Sequence, residues 1–414
     1  MIYFIDFESR SRSPIKEVGA RNYVADPSTE AVFLAIVRED GRYAWVWSPF
    51  QREPLGYMGD PPGLEECELI EGGLPTFGPG DMLCAHNAED FDRPVWEALG
   101  LPSPPGGWLD SMPRARRASL PGKLENLCAY VLGVGKDKEA RKVTLSLSKP
   151  VALSRAAVDA CRQWAAAWWA GAKDRAPPPA VSWILGPPPW EKAAILSLAE
   201  APPYGCEVLR DPDPAQLTAV GRYCLLDAAL LRMVWIKERL GEPNVDDPVL
   251  AVSDTINRRG VKVDLDLVDR LLRAADRVVR QASERAAKAS EGKVTEATLR
   301  STAELRAWLK TQGVDLPDVK AETVRAAMAE MGLALECSPT PLARESAVYE
   351  VLAARLDVAR VSAGKLRAAR ARTSADGRLR GAYGYAAAHT WRWNSRGMQI
   401  HNLPRPVKGT PVLP

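Results

Sequence analysis

The chain opens on an apolar, β-prone stretch, Met1–Phe7, interrupted by a single acid at Asp6. Ala31–Val37 is a continuous apolar run of strand length, Arg38–Arg42 is a turn signal, and Tyr43–Trp47 resumes as an aromatic strand. Met82–His86 reads as a short buried strand and Arg93–Leu99 as the start of a helix. Strands giving way to helices predict a mixed α/β layer. From about Pro248 the period changes. Leu267, Val268, Leu271, Leu272, Ala275, Val278 and Val279 recur at helical spacing, and two further helices are expected over 302–312 and 321–331, punctuated by Gly313, Pro317 and Gly332. Between these halves, residues 151–203 carry Trp164, Trp168, Trp169, Trp183 and Trp190 with proline runs at 177–179 and 187–189. They predict an insertion of one helix and a proline-rich loop, its tryptophans packing locally.

Composition narrows the class. A chain of 414 residues with 46% hydrophobic content can bury two or three cores, and 26% charged residues is ordinary for a globular protein. No apolar run approaches the ~20 residues of a membrane helix, so no membrane partner is expected. The N-terminus has no basic region ahead of its apolar residues, unlike a signal peptide. Seven cysteines, without a CxxC pair, suggest reduced thiols in a cytoplasmic protein. Three histidines, His86, His389 and His401, leave little from which to build a histidine metal site or triad. The net charge of +3 hides an asymmetry: 12 basic and two acidic residues lie between Arg355 and Lys408, which leaves the rest of the chain at −7. A basic end on an acidic chain points to a polyanion, nucleic acid first.

Three acidic features carry candidate chemistry. Asp6-Phe7-Glu8 ends the first strand, and residues two apart on a strand share a face. Two adjacent carboxylates repel, and a hard divalent cation such as Mg²⁺ or Mn²⁺ is the common remedy. Asn87-Ala88-Glu89-Asp90-Phe91-Asp92 follows the strand at Met82–His86. Tyr223 and Asp227 stand four apart in a helical stretch, so phenol and carboxylate share a face. Singly, each is also what an exposed loop or helix acid looks like.

Their order, D-x-E, then N-x(2–3)-[FY]-D, then Y-x3-D, resembles the 3′–5′ exonuclease domain of DNA polymerase I-like (family A) DNA polymerases, in its tyrosine-bearing DEDDy subtype and bacteriophage-type branch. Glu17–Pro27, Asp110-Ser111-Met112 with Leu120–Glu125, Lys136-Asp137-Lys138 and Ser148-Lys149-Pro150 are similar to its flanking segments. Asp376–Gly381, Thr390–Trp393 and Gln399–Pro406 resemble the start of the polymerase palm, with Trp391 where glycine is usual and Ile400-His401 inside the Q-P-Q-N motif. The resemblance implies an α/β ribonuclease H-like exonuclease domain, a mixed sheet with flanking helices, over residues 1–243 with the insertion 151–203. A mainly α-helical thumb-like region over 244–375 and the start of the palm over 376–414 follow. It also implies two Mg²⁺ (or Mn²⁺) ions held by Asp6, Glu8, Asp92 and Asp227, with Asp90 the alternative to Asp92 in the second motif, and Tyr223 positioning the attacking water beside Glu8. A single-stranded 3′ DNA end would enter the site. Asn87, Arg114 and Arg117 (with Arg116 nearby) would meet that strand, and Arg370, Arg372 and Arg392 with Asn402 the primer–template. The family's nucleotidyl-transfer carboxylates lie beyond the N-L-P-R-P segment. The expected activity is therefore proofreading hydrolysis releasing dNMPs in bacterial or phage-infected cytoplasm, with polymerisation left to a separate palm–fingers chain. The alternative is a non-catalytic DNA-binding or assembly half of a split polymerase.

Overall fold

The structure, a computed structural model, describes residues 1–403 except 57, 60, 186–187, 337–346, 361–362 and 389, and only the backbone at 332–336 and 360. Cys337, His389, Pro187 and the Pro404–Lys408 segment singled out above lie outside the described residues. The chain forms two compact units, residues 1–261 with those from 378 onward, and residues 262–377. Sequence reading drew its lines at 243/244 and 375/376, short of the helix Asp247–Arg259 that belongs to the first unit.

In the first unit a six-stranded mixed sheet runs in the order β4-β3-β2-β1-β5-β6. In chain order the elements are β1 (Ile2–Arg10), the short helices α1 (Ile15–Val18) and α2 (Ala20–Ala25), β2 (Glu30–Arg38), β3 (Tyr43–Trp47), β4 (Glu68–Glu71) and β5 (Met82–Ala85). Then come α3 (Asp92–Ala98), β6 (Trp108–Asp110), α4 (Ser111–Arg117), α5 (Leu124–Leu132) and α6 (Lys138–Leu147). β1 pairs antiparallel with β2 and parallel with β5. The central position of β1 explains its buried, nearly continuous apolar sequence. The sequence reading named neither the short elements α1, α2, β4 and β6 nor the helices α4, α5 and α6.

Both faces of the sheet are covered. Tyr3, Ile5 and Phe7 pack with Leu34, Ile36 and Trp96 of α3, while Phe4 packs with Leu127 of α5 and with Leu230, Leu231 and Val234. The last three belong to α10 (Pro214–Lys237), the longest helix of this unit among the described residues. α10 starts at a capping box between Asp213 and Gln216 with Pro214 at its first position.

The insertion departs from the expected single helix. Among the described residues it holds three, α7 (Arg155–Trp169), α8 (Pro179–Leu185) and α9 (Lys192–Glu200), tied at its base by the two-residue strands β7 (Val151–Ala152) and β8 (Glu207–Val208). Pro179 opens α8, and an initial proline fits a helix's first turn. Trp164, Cys161, Val181, Ile195 and Leu198 form a small core that Trp168, Trp183 and Trp190 flank, so the tryptophans do pack locally. The first unit closes with α11 (Asp247–Arg259), onto which residues 381–395 are stitched. Asn257 exchanges side-chain bonds with the backbone of Tyr383, and Trp393 donates to Ser253.

The second unit is helical: α12 (Leu265–Ala289), α13 (Glu296–Arg300), α14 (Thr302–Thr311), α15 (Ala321–Glu336), α16 (Ala347–Arg360) and α17 (Gly364–Arg372). Val279, Ala282 and Ala286 of α12 join Leu299, Leu305, Leu309, Val351 and Leu352 in one core. Asp264 caps α12 by accepting from the Leu267 amide. The predicted apolar stripe of α12 is only partly used, since Leu271 and Val278 stay exposed.

Candidate active site

Strand alternation sets the first two acids. Odd residues of β1 face α3, and Phe4 faces α10. The one register shift of the β1–β2 ladder falls after Glu8, so Asp6 and Glu8 share the face of Phe4. Helix periodicity sets the next pair, Tyr223 and Asp227, both buried on α10. α10 reaches the sheet closely because residue 221 is glycine. A Cβ there would come 2.6 Å from the Phe33 ring and 2.8 Å from the Met58 sulfur. One turn on, the Cys224 thiol donates to the Asp6 carbonyl at 3.0 Å, which pins helix to strand between the carboxylates.

The fourth acid arrives by a turn. After β5, Asn87 takes a left-handed conformation (φ 75°, ψ 38°), which asparagine tolerates better than most residues. A 3₁₀ turn over Ala88–Asp90 follows, and Asp92 opens α3 with its carboxylate accepting from the Phe7 amide at 3.3 Å. Asp92 is only 3% exposed. Asp90 points elsewhere and forms an ion pair with Arg396.

Burial and mutual repulsion dominate the electrostatics. Burial, then the charge of Asp227, pushes the Asp6 carboxyl up to about 8. Burial and the charges of Asp6, Asp227 and Asp92 raise Glu8 well above the carboxylate range. Burial and the charges of Asp6 and Asp110 raise Asp92 likewise. Burial also raises Asp227, against the pull of Lys136. Asp6 Oδ2 and Asp227 Oδ1 are buried and accept no hydrogen bond.

One cation stands among them. The Lys136 ammonium pairs with Asp227 and donates to the Tyr223 hydroxyl at 2.9 Å. Burial alone would lower its pKa, but the charges of Asp227 and Asp6 hold it above the usual lysine value. Burial and Asp227 raise the Tyr223 phenol, so it stays protonated through neutral pH. Lys136 stands between Gly133, which ends α5 in a left-handed conformation, and Asp137, which caps α6. Sequence reading quoted it only as part of a similar segment. Nothing in its spacing marks it as the partner of a residue 91 positions away.

Two observations bear on a metal. The buried unpartnered oxygens of Asp6 and Asp227, flanked by Glu8 and Asp92, are the hard donors a Mg²⁺ or Mn²⁺ ion takes. With the side chains as they stand, no group of three or more His, Cys, Asp or Glu among the described residues is arranged to hold one. Lys136 already occupies one oxygen of Asp227.

A second acidic cluster lies in the same unit. Asp110 accepts from the amides of Asn87 and Met112, each at 2.9 Å, and so holds the Asn87 turn and caps α4. Glu89 accepts from Arg93 at 2.8 Å and Arg258 at 3.0 Å. Burial raises Asp110 to about 6 and, with the charges of Glu89 and Asp110, Asp254 to about 7. His86 sits between the Ser111 hydroxyl at 2.8 Å and the Gly122 carbonyl at 3.1 Å, and burial lowers it to about 4.

The basic residues expected at DNA are mostly engaged. Arg114 donates to the Leu240 carbonyl and Arg117 pairs with Asp247 at 2.6 Å, both largely buried, so they brace α4 instead of offering free guanidinium groups. Arg370 pairs with Asp269 at 3.0 Å and Arg367 with Asp276 at 3.2 Å, on exposed helix surface. Arg372 ends α17. Arg392 is exposed, as is Asn402, whose side chain donates to Gln399.

No protein-family model matches the chain. A curated relative, the DNA polymerase of Bacillus phage SP02, is 28% identical over 201 residues, which is 48% of this chain and 28% of that protein. This chain therefore spans little more than a quarter of the relative it matches. Among solved structures, the POL domain of Pol1 from M. smegmatis, in complex with DNA primer-template and dNTP, aligns over 98% of this chain and 53% of that one. That alignment has 15% identity and a TM-score of 0.44. Over about half of its length the chain is thus similar to a phage DNA polymerase, in line with the resemblance its motifs carry.

Proposed function

We propose that the sheet-bearing unit is a metal-dependent 3′–5′ DNA exonuclease of ribonuclease H-like build and DEDDy type, the proofreading part of a family A polymerase machinery. The observation that carries this reading is the pair of buried, unpartnered oxygens on Asp6 and Asp227, brought together by β1 and α10 and ringed by Glu8, Asp92 and Tyr223. Asp6, Glu8, Asp92 and Asp227 would hold two Mg²⁺ or Mn²⁺ ions. When bound, such a pair activates a water and stabilises the charge on the leaving oxygen. The chain's own groups supply the rest. Tyr223, protonated at neutral pH, orients a water or phosphate oxygen by donating its hydroxyl hydrogen. Phe7 and Cys224 hold Asp92 and the backbone of Asp6 in place. The substrate is a single-stranded 3′ end and the product a dNMP. The 262–377 unit acts as a thumb-like region and residues from 378 as the start of a palm. Their contacts are to phosphate and so salt-sensitive. The setting is bacterial or phage-infected cytoplasm.

A second reading, a non-catalytic DNA-binding or assembly half, is favoured by one observation. Lys136 already neutralises Asp227, and no three-ligand set stands ready among the described residues. The experiment is hydrolysis of a 3′-labelled single strand with Mg²⁺, by wild type and by the Asp6→Ala, Glu8→Ala double variant. Mononucleotide release by wild type alone is expected. Equal release by both overturns the site assignment, and release by neither favours the second reading.

A further inference from the structure

The four acids of the candidate site lack balancing charge. Buried carboxylates need a paired cation or a proton to remain inside a fold. In the metal-free protein the charge of one residue, Lys136, reaches Asp6, Glu8 and Asp227 alike. Its ammonium pairs with Asp227, donates to the Tyr223 hydroxyl at 2.9 Å, and lies 4.9 Å from the centre of that ring. Two nearby guanidinium groups are committed elsewhere, Arg222 to Asp137 at 3.0 Å and Arg141 to Glu125 at 3.5 Å.

We propose that Lys136 is the internal counter-cation of this site: its ammonium takes the place of a divalent ion against Asp227 and Asp6, and a divalent ion binds only by displacing it. This rests on the nuclease reading of the same carboxylates. Four features fit exchange better than a permanent ion pair. The Lys136 side chain is 15% exposed while that of Asp227 is 3% exposed, so the pair reaches water from the lysine side. Lys136 stands on the irregular segment between α5 and α6, so its four-carbon stem can swing out without unwinding a helix. The segment has room, because a Cβ built at Gly133 or Gly135 meets nothing within 4 Å. Asp227 keeps its second oxygen unpartnered even with the lysine in place, and so does Asp6. A single ammonium donates three hydrogens, and here it leaves two acceptor oxygens unsatisfied that a divalent ion with several open coordination positions would satisfy together. The lysine thus keeps the empty site folded and sets the concentration of metal needed to fill it.

The test is Mn²⁺ binding by isothermal titration to wild type, Lys136→Met and Lys136→Arg, with circular dichroism to show that each is folded. Removing the competing charge is expected to tighten Mn²⁺ binding about tenfold in Lys136→Met, while Lys136→Arg stays within about twofold of wild type. A second readout needs no variant. Reductive methylation of wild-type lysines, read by peptide mass spectrometry, should label Lys136 several times faster in saturating Mn²⁺ than in its absence. Equal Mn²⁺ affinity in wild type and Lys136→Met, or a Lys136 labelling rate that Mn²⁺ leaves unchanged, overturns the proposal while the nuclease reading stands. Absence of Mn²⁺ binding in both proteins overturns both.

Discussion

The first unit buries two groups of acids, and they are built on opposite principles. Around Asp110 and Glu89, most acceptors meet donors of the fold itself, the amides of Asn87 and Met112 and the guanidinium groups of Arg93 and Arg258, with Glu89 Oε2 left buried and unpartnered. Around Asp6 and Asp227, acids face one another, two oxygens accept nothing, and a single lysine supplies the charge. Both groups are pushed up by burial and by a neighbouring acid, Asp110 to about 6 beside Glu89 and Asp6 to about 8 beside Asp227, but backbone amides pull Asp110 back down, whereas Asp6 has only the Lys136 charge and the Cys224 thiol. Acids satisfied by backbone and arginine hold a turn and cap a helix. Acids left facing each other are poised for a cation. Neither raised pKa values nor an unpartnered oxygen separates the two, since Glu89 Oε2 is unpartnered as well; the source of the donors does, backbone amides and two arginines in one group and a single lysine in the other.

Variants that remove one acid from each group should separate them most sharply. Asp6→Ala with Glu8→Ala is expected to cut Mg²⁺-dependent release of mononucleotide by roughly a thousandfold or more, measured on a 3′-labelled strand. In the metal-free protein the neutral variant Asp6→Asn should raise stability by roughly 1–4 kcal/mol at pH 7, because the wild-type carboxyl, raised to about 8, must take up a proton on folding and the amide need not. Asp110→Ala should do the reverse and lower stability by about 1–3 kcal/mol, since the Asn87 and Met112 amides lose their acceptor. Urea unfolding in chelator measures both, and a shared sign would erase the distinction between the two groups. Gly221→Ala is expected to cost about 1–3 kcal/mol, through the clash with Phe33 and Met58. Nuclease activity should fall with it, as α10 carries Tyr223 and Asp227.

The narrowest effect, confined to one pH window, is the pH dependence at His86. Its folded pKa is depressed to about 4, so the unfolded chain takes up a proton first as pH falls. The stabilisation is complete above the unfolded value near 6.5 and is lost between there and about 4, at a total of roughly 3 kcal/mol. His86→Asn should flatten the stability–pH curve across that window. A curve as steep as wild type would remove His86 as its source.

What could be read from the sequence was what regular elements repeat. Asp6 with Glu8 on a strand and Tyr223 with Asp227 on a helix follow from periods of two and 3.6, and the structure puts each pair on one face. What depended on turns or distant partners was not legible. Whether Asp90 or Asp92 turns inward depends on the left-handed Asn87, the 3₁₀ turn after it, and an Arg396 some 300 residues on. The basic run at Arg114–Arg117 looked like a phosphate contact because Asp247 and the Leu240 carbonyl are invisible at that range. The prolines of the insertion read as loop, yet Pro179 opens a helix. Lys136 carried no local signal, although the site's charge balance rests on it.

The account turns on whether a divalent ion enters between β1 and α10. Crystals of the wild-type chain soaked in Mn²⁺ and measured at the manganese edge test this directly. The account predicts an anomalous peak bounded by Asp6, Glu8 and Asp227, with the Lys136 ammonium moved off Asp227. A map without a peak there, and with Lys136 still on Asp227, would contradict it.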